Sequence, residues 1–246
     1  MSGHSKWHNI QAKKGKADAA RGRIFTKLGR EISVAAKGNP NPDTNSKLAD
    51  AIAKAKANNM PNDNIQRCIK KAAGEMGSVN YETLVYEGYG VGGSALIINT
   101  LTDNKNRTAG DVRSTLAKHG GEMGNTGCVS YMFSNKGLIV VERTLDLDED
   151  TVTEYAIDAG ADDVAVLDDV YEIYTDPASF SAVRKYLEEK GLSFLEADVR
   201  MIPQNKIELS PENTEKFLKL LDKLEELDDV QDVYHNVDLP DDEEEE

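Results

Sequence analysis

The segment GLIVVERTLDLDEDTVTEYAIDAGADDVAVLDDVYEIYTDPASFSAVRKYLEEKGLSFLEADVRM, residues 137–201, alternates two periodicities. Short β-branched and aliphatic runs at 138–142, 163–167, 170–175 and 195–201 read as strands, because such side chains suit a pleated, half-buried surface. Between them, 148–159 and 177–190 repeat apolar residues at helical spacing. The order is β-α-β-β-α-β, the split β-α-β arrangement of ferredoxin-like domains, an antiparallel sheet with two helices on one face.

On either side of this unit the pattern recurs in fragments. Upstream, 83–89 and 94–101 read as strands joined through the turn Gly90-Val91-Gly92-Gly93. A helix follows, with a cap at Thr102 or Asp103, an apolar stripe of Ala109, Val112 and Leu116 and a stop at Gly120-Gly121; a strand is expected at 129–133. Downstream come 206–209, a helix from Pro211 behind a Ser210 cap with Leu218, Leu221 and Leu224 inward, and 230–237. These pieces have no sheet of their own. The economical solution returns them to the sheet begun at residue 83, so that 136–203 is inserted into a discontinuous domain of 79–135 plus 204–239.

The first 78 residues differ in kind. A basic arm containing Lys6, Lys13, Lys14 and Lys16 precedes three helices. The first gathers Ile24, Phe25, Leu28, Ile32, Ala35 and Ala36 on one side and stops near Gly38. The second spans about 45–58, and the third packs Ile65, Cys68, Ile69 and Ala72. The expected architecture is therefore α+β: an N-terminal helical domain followed by two α/β domains with antiparallel or mixed sheets, at least one ferredoxin-like. An acidic tail, 240–246, ends the chain.

Charge is divided along the same boundary. The whole chain of 246 residues carries a net −15, yet residues 1–75 hold fifteen Lys or Arg against six Asp or Glu, net +9, leaving −24 for the rest. At physiological salt the screening length is about 8 Å, so a basic module set apart from an acidic body presents its own charge to a partner. On the first helix Arg23, Lys27, Arg30 and Lys37 fall opposite the apolar stripe and form a cationic ridge. Together with the arm it would touch about six to eight phosphates, giving a salt dependence of log affinity of about −5 to −7 on duplex DNA. Trp7, flanked by Lys6 and His8, is placed either to stack on a base or to cap the helical core. A second candidate contact is the polar loop 102–108 at a helix N-terminus, where Lys105 and Arg107 suit phosphate or carboxylate. The plain alternative there is a helix cap.

Other chemistries find no support. His4 and His8 have metal-ligand spacing but no third ligand, so no metal is expected. Asp162-Asp163 and Asp168-Asp169 read as solvated turns. No nucleophile motif occurs, and the Gly88–Gly93 run is followed by a strand, not by the helix that a phosphate-binding loop requires. Lys136-Gly137-Leu138-Ile139-Val140 begins like an RNA-recognition motif but lacks the aromatics that stack bases. A non-enzyme is expected, without cofactor or evident small-molecule substrate. The opening MSGHSKWHNI has no apolar signal core, no run suits a membrane span, and Cys68 and Cys128 lie far apart. A soluble cytoplasmic protein with reduced thiols fits. Oligomeric state is not legible.

The stretches 3–10 (GHSKWHNI), 13–16 (KKGK), Asp18, 23–27 (RIFTK), 102–108 (TDNKNRT) and 120–124 (GGEMG) resemble the YebC/PmpR family of probable transcriptional regulatory proteins. The mitochondrial translational activator of cytochrome oxidase subunit I is similar. The likeness runs from residue 2 to about 240. It implies three domains, one helical and two α/β. It also implies either DNA-binding transcriptional regulation, as in some members, or action on ribosomes, as in others, so the expected partner is DNA or ribosomal RNA. Helices two and three have a turn of about the right length for a helix-turn-helix. The basic ridge lies on helix one, however, which favours backbone contact over base readout.

Overall fold

A computed structural model describes residues 18–75 and 80–239 of the chain. They form two compact units, residues 18–134 with 202–239, and residues 135–201.

The first unit opens with α1 (Asp18–Ala36), α2 (Ser46–Ala57) and α3 (Asn62–Lys70). Leu28, Ile32 and Ala36 of α1 meet Leu48, Ala51 and Ala55 of α2 and Ile65 and Ile69 of α3, with Met60 closing the core. These residues lie at helical spacing, and burying each larger side chain contributes about 1.5–3 kcal/mol. Asn45 sets the α1–α2 corner. Its Oδ1 caps α2 by accepting from Leu48 N, and its Nδ2 donates to the carbonyls of Ala35 and Asn39.

The chain continues through β1 (Glu82–Tyr89), β2 (Ala95–Thr102), α4 (Lys105–Lys118) and β3 (Glu122–Met123). It then runs through β4 (Phe133–Glu142), α5 (Glu149–Ala159), β5 (Asp163–Val166), β6 (Val170–Thr175), α6 (Phe180–Glu189) and β7 (Phe194–Pro203). It closes with α7 (Pro211–Glu225) and β8 (Val230–His235). The first sheet has the order β3-β1-β2-β8. β8 pairs antiparallel with β2, Leu96 opposite His235 and Ile98 opposite Val233, so the last segment of the chain completes the sheet begun at Glu82. Leu96 and Ile98 pack against Val112 and Leu116 of α4 and Phe217, Leu220 and Leu224 of α7. Where the chain leaves this unit and returns to it, Gln204 N donates to Met132 O at 2.9 Å.

The second unit has the order β5-β6-β4-β7. In this β-α-β-β-α-β chain the first and third strands are central neighbours and pair antiparallel, which is the ferredoxin-like order. Ile139 and Val141 stand opposite Ile173 and Tyr171 and pack with Val152 and Ala156 of α5 and Val183 and Leu187 of α6.

Three local expectations are corrected. The edge strand of the first sheet is Glu122–Met123, not 129–133. The Glu87 carboxylate accepts the backbone N–H groups of Gly127, Val129 and Ser130, so that segment finds a side chain in place of a ladder and turns through a 3₁₀ helix at Ser130–Met132. The cap of α4 is Asn104, one residue beyond the expected pair, because Thr102 ends β2 and its hydroxyl is engaged elsewhere. On α7 the buried stripe is Phe217, Leu220, Leu221 and Leu224, while Leu218 is half-buried at its edge. Among the described residues, no helix is long and apolar enough to cross a membrane.

Candidate nucleic-acid interface

The ridge is real as a row of cations along α1 and just past its end, but three of its four members, Lys27, Arg30 and Lys37, donate to groups within the protein. Lys27 Nζ donates to Glu225 O at 2.7 Å, at the end of α7. Arg30 reaches the following turn. Its Nη1 donates to Asp228 O at 2.7 Å, to Asp229 Oδ1 at 2.7 Å and to Leu101 O at 3.3 Å, while its guanidinium lies 5.5 Å from the Tyr81 ring centroid. Burial pushes the Lys27 ammonium below the usual lysine value, against the pull of Glu225 and Asp232. Arg23 and Lys37 are exposed, and Lys37 Nζ donates to Asn80 Oδ1 at 2.7 Å. Lys6, Trp7, Lys13, Lys14 and Lys16 lie outside the described residues.

The 102–108 loop does hold a carboxylate, and it is the protein's own. Asp229 Oδ2 accepts from Arg107 Nη2 at 2.7 Å and Nε at 3.2 Å, from Thr108 Oγ1 at 2.8 Å and from Thr102 Oγ1 at 3.1 Å. Its other oxygen takes Arg30. The donors to this carboxylate are all side chains, while Asn104 Oδ1 caps the first turn of α4 by accepting from Arg107 N; only the charge preference of a helix N-terminus matches the expectation. Burial opposes ionisation of Asp229, but the hydrogen bonds from Arg107, Thr108, Arg30 and Thr102 outweigh it and hold its carboxyl below the ordinary carboxylate value. Arg107 also pairs with Asp103 at 2.8 Å, and both it and Lys105 are exposed. The structure thus brings Arg30 and Arg107 together on one carboxylate, and Arg23 lines the same cleft of about 700 Å³.

Nothing in the sequence marks Asp229. It is one acid in a run of several, and only the partners supplied by α1 and α4 distinguish it. Glu87 is likewise hidden in an ordinary strand pattern. Among the described residues no group of His, Cys, Asp and Glu converges to hold a metal ion, and His4 and His8 lie outside them.

Comparison with known proteins gives this geometry its setting. Residues 5–75 match the model described as the TACO1/YebC protein N-terminal domain, and residues 81–237 match that described as the TACO1/YebC second and third domain. The chain belongs to the TACO1/YebC family. A probable transcriptional regulatory protein of Clostridium tetani is 59% identical to this TACO1/YebC chain over 98% of both. One of Thermoanaerobacter pseudethanolicus is 56% identical over the full length of both. The crystal structure of the conserved hypothetical protein Aq1575 from Aquifex aeolicus is similar with a TM-score of 0.81 and 43% identity, covering 94% of this chain and 96% of that one. The TACO1/YebC relatives bear the names of transcriptional regulators, not of enzymes.

Proposed function

We propose that this TACO1/YebC protein is a cytoplasmic, DNA-binding transcriptional regulator that grips the phosphate backbone through its N-terminal arm and the helical region behind it. One observation carries the reading: a net +9 is confined to residues 1–75 while the rest of the chain carries −24. Such segregation creates a local field for a polyanion and repels it from the remaining surface. In this reading Lys6, Lys13, Lys14 and Lys16 supply the contacts, Trp7 stacks on a base or ribose, and Arg23 and Lys37 extend the track along α1. Both members of the second pair are exposed, but Arg107 is already paired with Asp229, which leaves Lys105 for a phosphate. In the folded chain as it stands Arg107, like Lys27 and Arg30, is engaged by the protein's own groups.

The deciding experiment uses the intact protein. Binding to promoter fragments from its own genome is compared with binding to random duplex of the same length and with co-sedimentation on ribosomes. Preference for particular promoters supports the reading. Ribosome association without any such preference moves the function to translation. Failure to bind either at about 50 mM salt removes the phosphate-contact idea altogether.

A further inference from the structure

Five of the eight residues from Glu225 to Asp232 are acidic, and this turn lies along the part of α1 that carries Arg23, Lys27 and Arg30. To the two deeper cations it presents oxygens at 2.7 Å, the carbonyls of Glu225 and Asp228 and the carboxylate of Asp229. To Arg23 it presents the shared cleft, lined also by Glu226 and Asp228. These are the oxygen positions and the negative field that a run of phosphates would supply.

The acids divide into two kinds. Asp229 is buried and forms the anchor, whereas Glu225, Glu226 and Asp228 are exposed. Exposed charge pairs contribute little to stability, because solvent and salt screen them. The three exposed acids are therefore not needed to hold α1 in place; Glu226 is itself paired with Lys223 at 2.7 Å, and the three acids with this lysine leave a net negative charge beside the ridge. We infer that the 225–229 turn is an internal phosphate mimic that competes with nucleic acid for the ridge of α1, so that Arg23 and Lys27 engage phosphate fully only when the turn gives way. The inference rests on the nucleic-acid reading above. It adds a regulatory element: the arm binds first, and the ridge joins in exchange for its internal partner.

The test compares the intact protein with the triple variant Glu225→Gln, Glu226→Gln, Asp228→Asn, leaving Asp229 in place. A control variant, Asp146→Asn, Glu154→Gln, Asp158→Asn, removes the same charge from exposed positions in the second unit. Each is titrated with a labelled random-sequence duplex DNA and with a single-stranded RNA of equal length, between about 50 and 200 mM salt. The turn variant is expected to bind about tenfold more tightly than the natural protein. Its slope of log affinity against log salt should steepen by about 2 on the duplex, since each added phosphate contact contributes about 0.9. The control should change affinity less than about threefold, since its three positions do not line the cleft beside the ridge. Equal gains in both variants, or none in either, overturn the mimic while leaving the nucleic-acid reading intact. Absence of binding by all three proteins overturns the reading itself. Should the triple variant lose its cooperative thermal transition, Glu226→Gln alone is measured, with a turn-specific gain of about twofold expected from one of the three charges.

Discussion

Arg30 and Asp229 stand 199 residues apart in the chain and 2.7 Å apart in space. Through this pair α1 is tied to the first sheet, because the same carboxylate takes Arg107 from the start of α4 and lies just before β8. The fold uses one buried acid to join three elements.

Removing that acid leaves two guanidinium groups and two hydroxyls without their common partner. Asp229→Ala is expected to cost about 3–5 kcal/mol, the range for breaking a buried, hydrogen-bonded pair. Most of this is assigned to Arg30, whose side chain is 17% exposed, and less to the more solvated Arg107. Urea unfolding of Asp229→Ala, Arg30→Ala and the double variant checks it. A coupling energy near zero between the two sites would remove the pair as the tie.

Acid should expose the same dependence. Asp229 and Glu87 both titrate below the ordinary carboxylate values. At each, burial opposes ionisation but is outweighed by hydrogen bonds, which at Glu87 come from the backbone of Val129, Gly127 and Ser130. A depressed folded-state value stabilises fully above the unfolded-state value and is lost as pH falls through the folded one. The urea midpoint should therefore hold from pH 8 to about 5 and fall below that. Glu87→Gln and Asp229→Asn start from lower midpoints and should show a shallower fall, which a pH series of urea titrations reads directly.

Glu87 governs a loop more than the whole fold. In Glu87→Gln an amide group replaces one acceptor oxygen and faces backbone donors at 2.8–2.9 Å, so at least one N–H loses its partner. A loss of about 1–3 kcal/mol is expected. Hydrogen exchange should locate it, with amides of 127–130 exchanging faster and those of β6 unchanged.

Gly137 tests the second unit by itself. A Cβ at this position would fall on Thr175 Oγ1 and lie 2.8 Å from Phe180 Cδ2, so Gly137→Ala must displace β6 or α6. Overpacking of this kind costs about 1–3 kcal/mol. The loss should appear as faster exchange in β4, β6 and α6, while the α1–α3 amides keep their protection. Equal losses in both places would show that the two units unfold together.

Much of this molecule was legible from periodicity. The stripes of α1, α2 and α3 and the order of the ferredoxin-like unit are patterns among near neighbours, and burial followed them closely. The structure departs from these patterns where a long-range polar partner overrides a local one, and on α7 where the helix phase differs by one position. Residues 129–133 have strand-forming side chains, yet Glu87, some forty residues earlier, claims the N–H groups of Val129 and Ser130 together with that of Gly127. Leu218 fits a leucine spacing of three, but the true stripe includes Phe217 and turns α7 by one position.

The candidate interface divides in the same way. Composition and order alone established that positive charge is confined to the first 75 residues and that Arg23, Lys27, Arg30 and Lys37 share a side of α1, because spacing along a helix fixes angle around it. Only the folded chain decided that Lys27 and Arg30 meet the 225–229 turn and that the 102–108 loop receives Asp229. A side chain's face follows from a repeat of 3.6 or 2 residues, whereas its partner depends on which distant segments sheet closure brings to that face, and no local repeat carries that information.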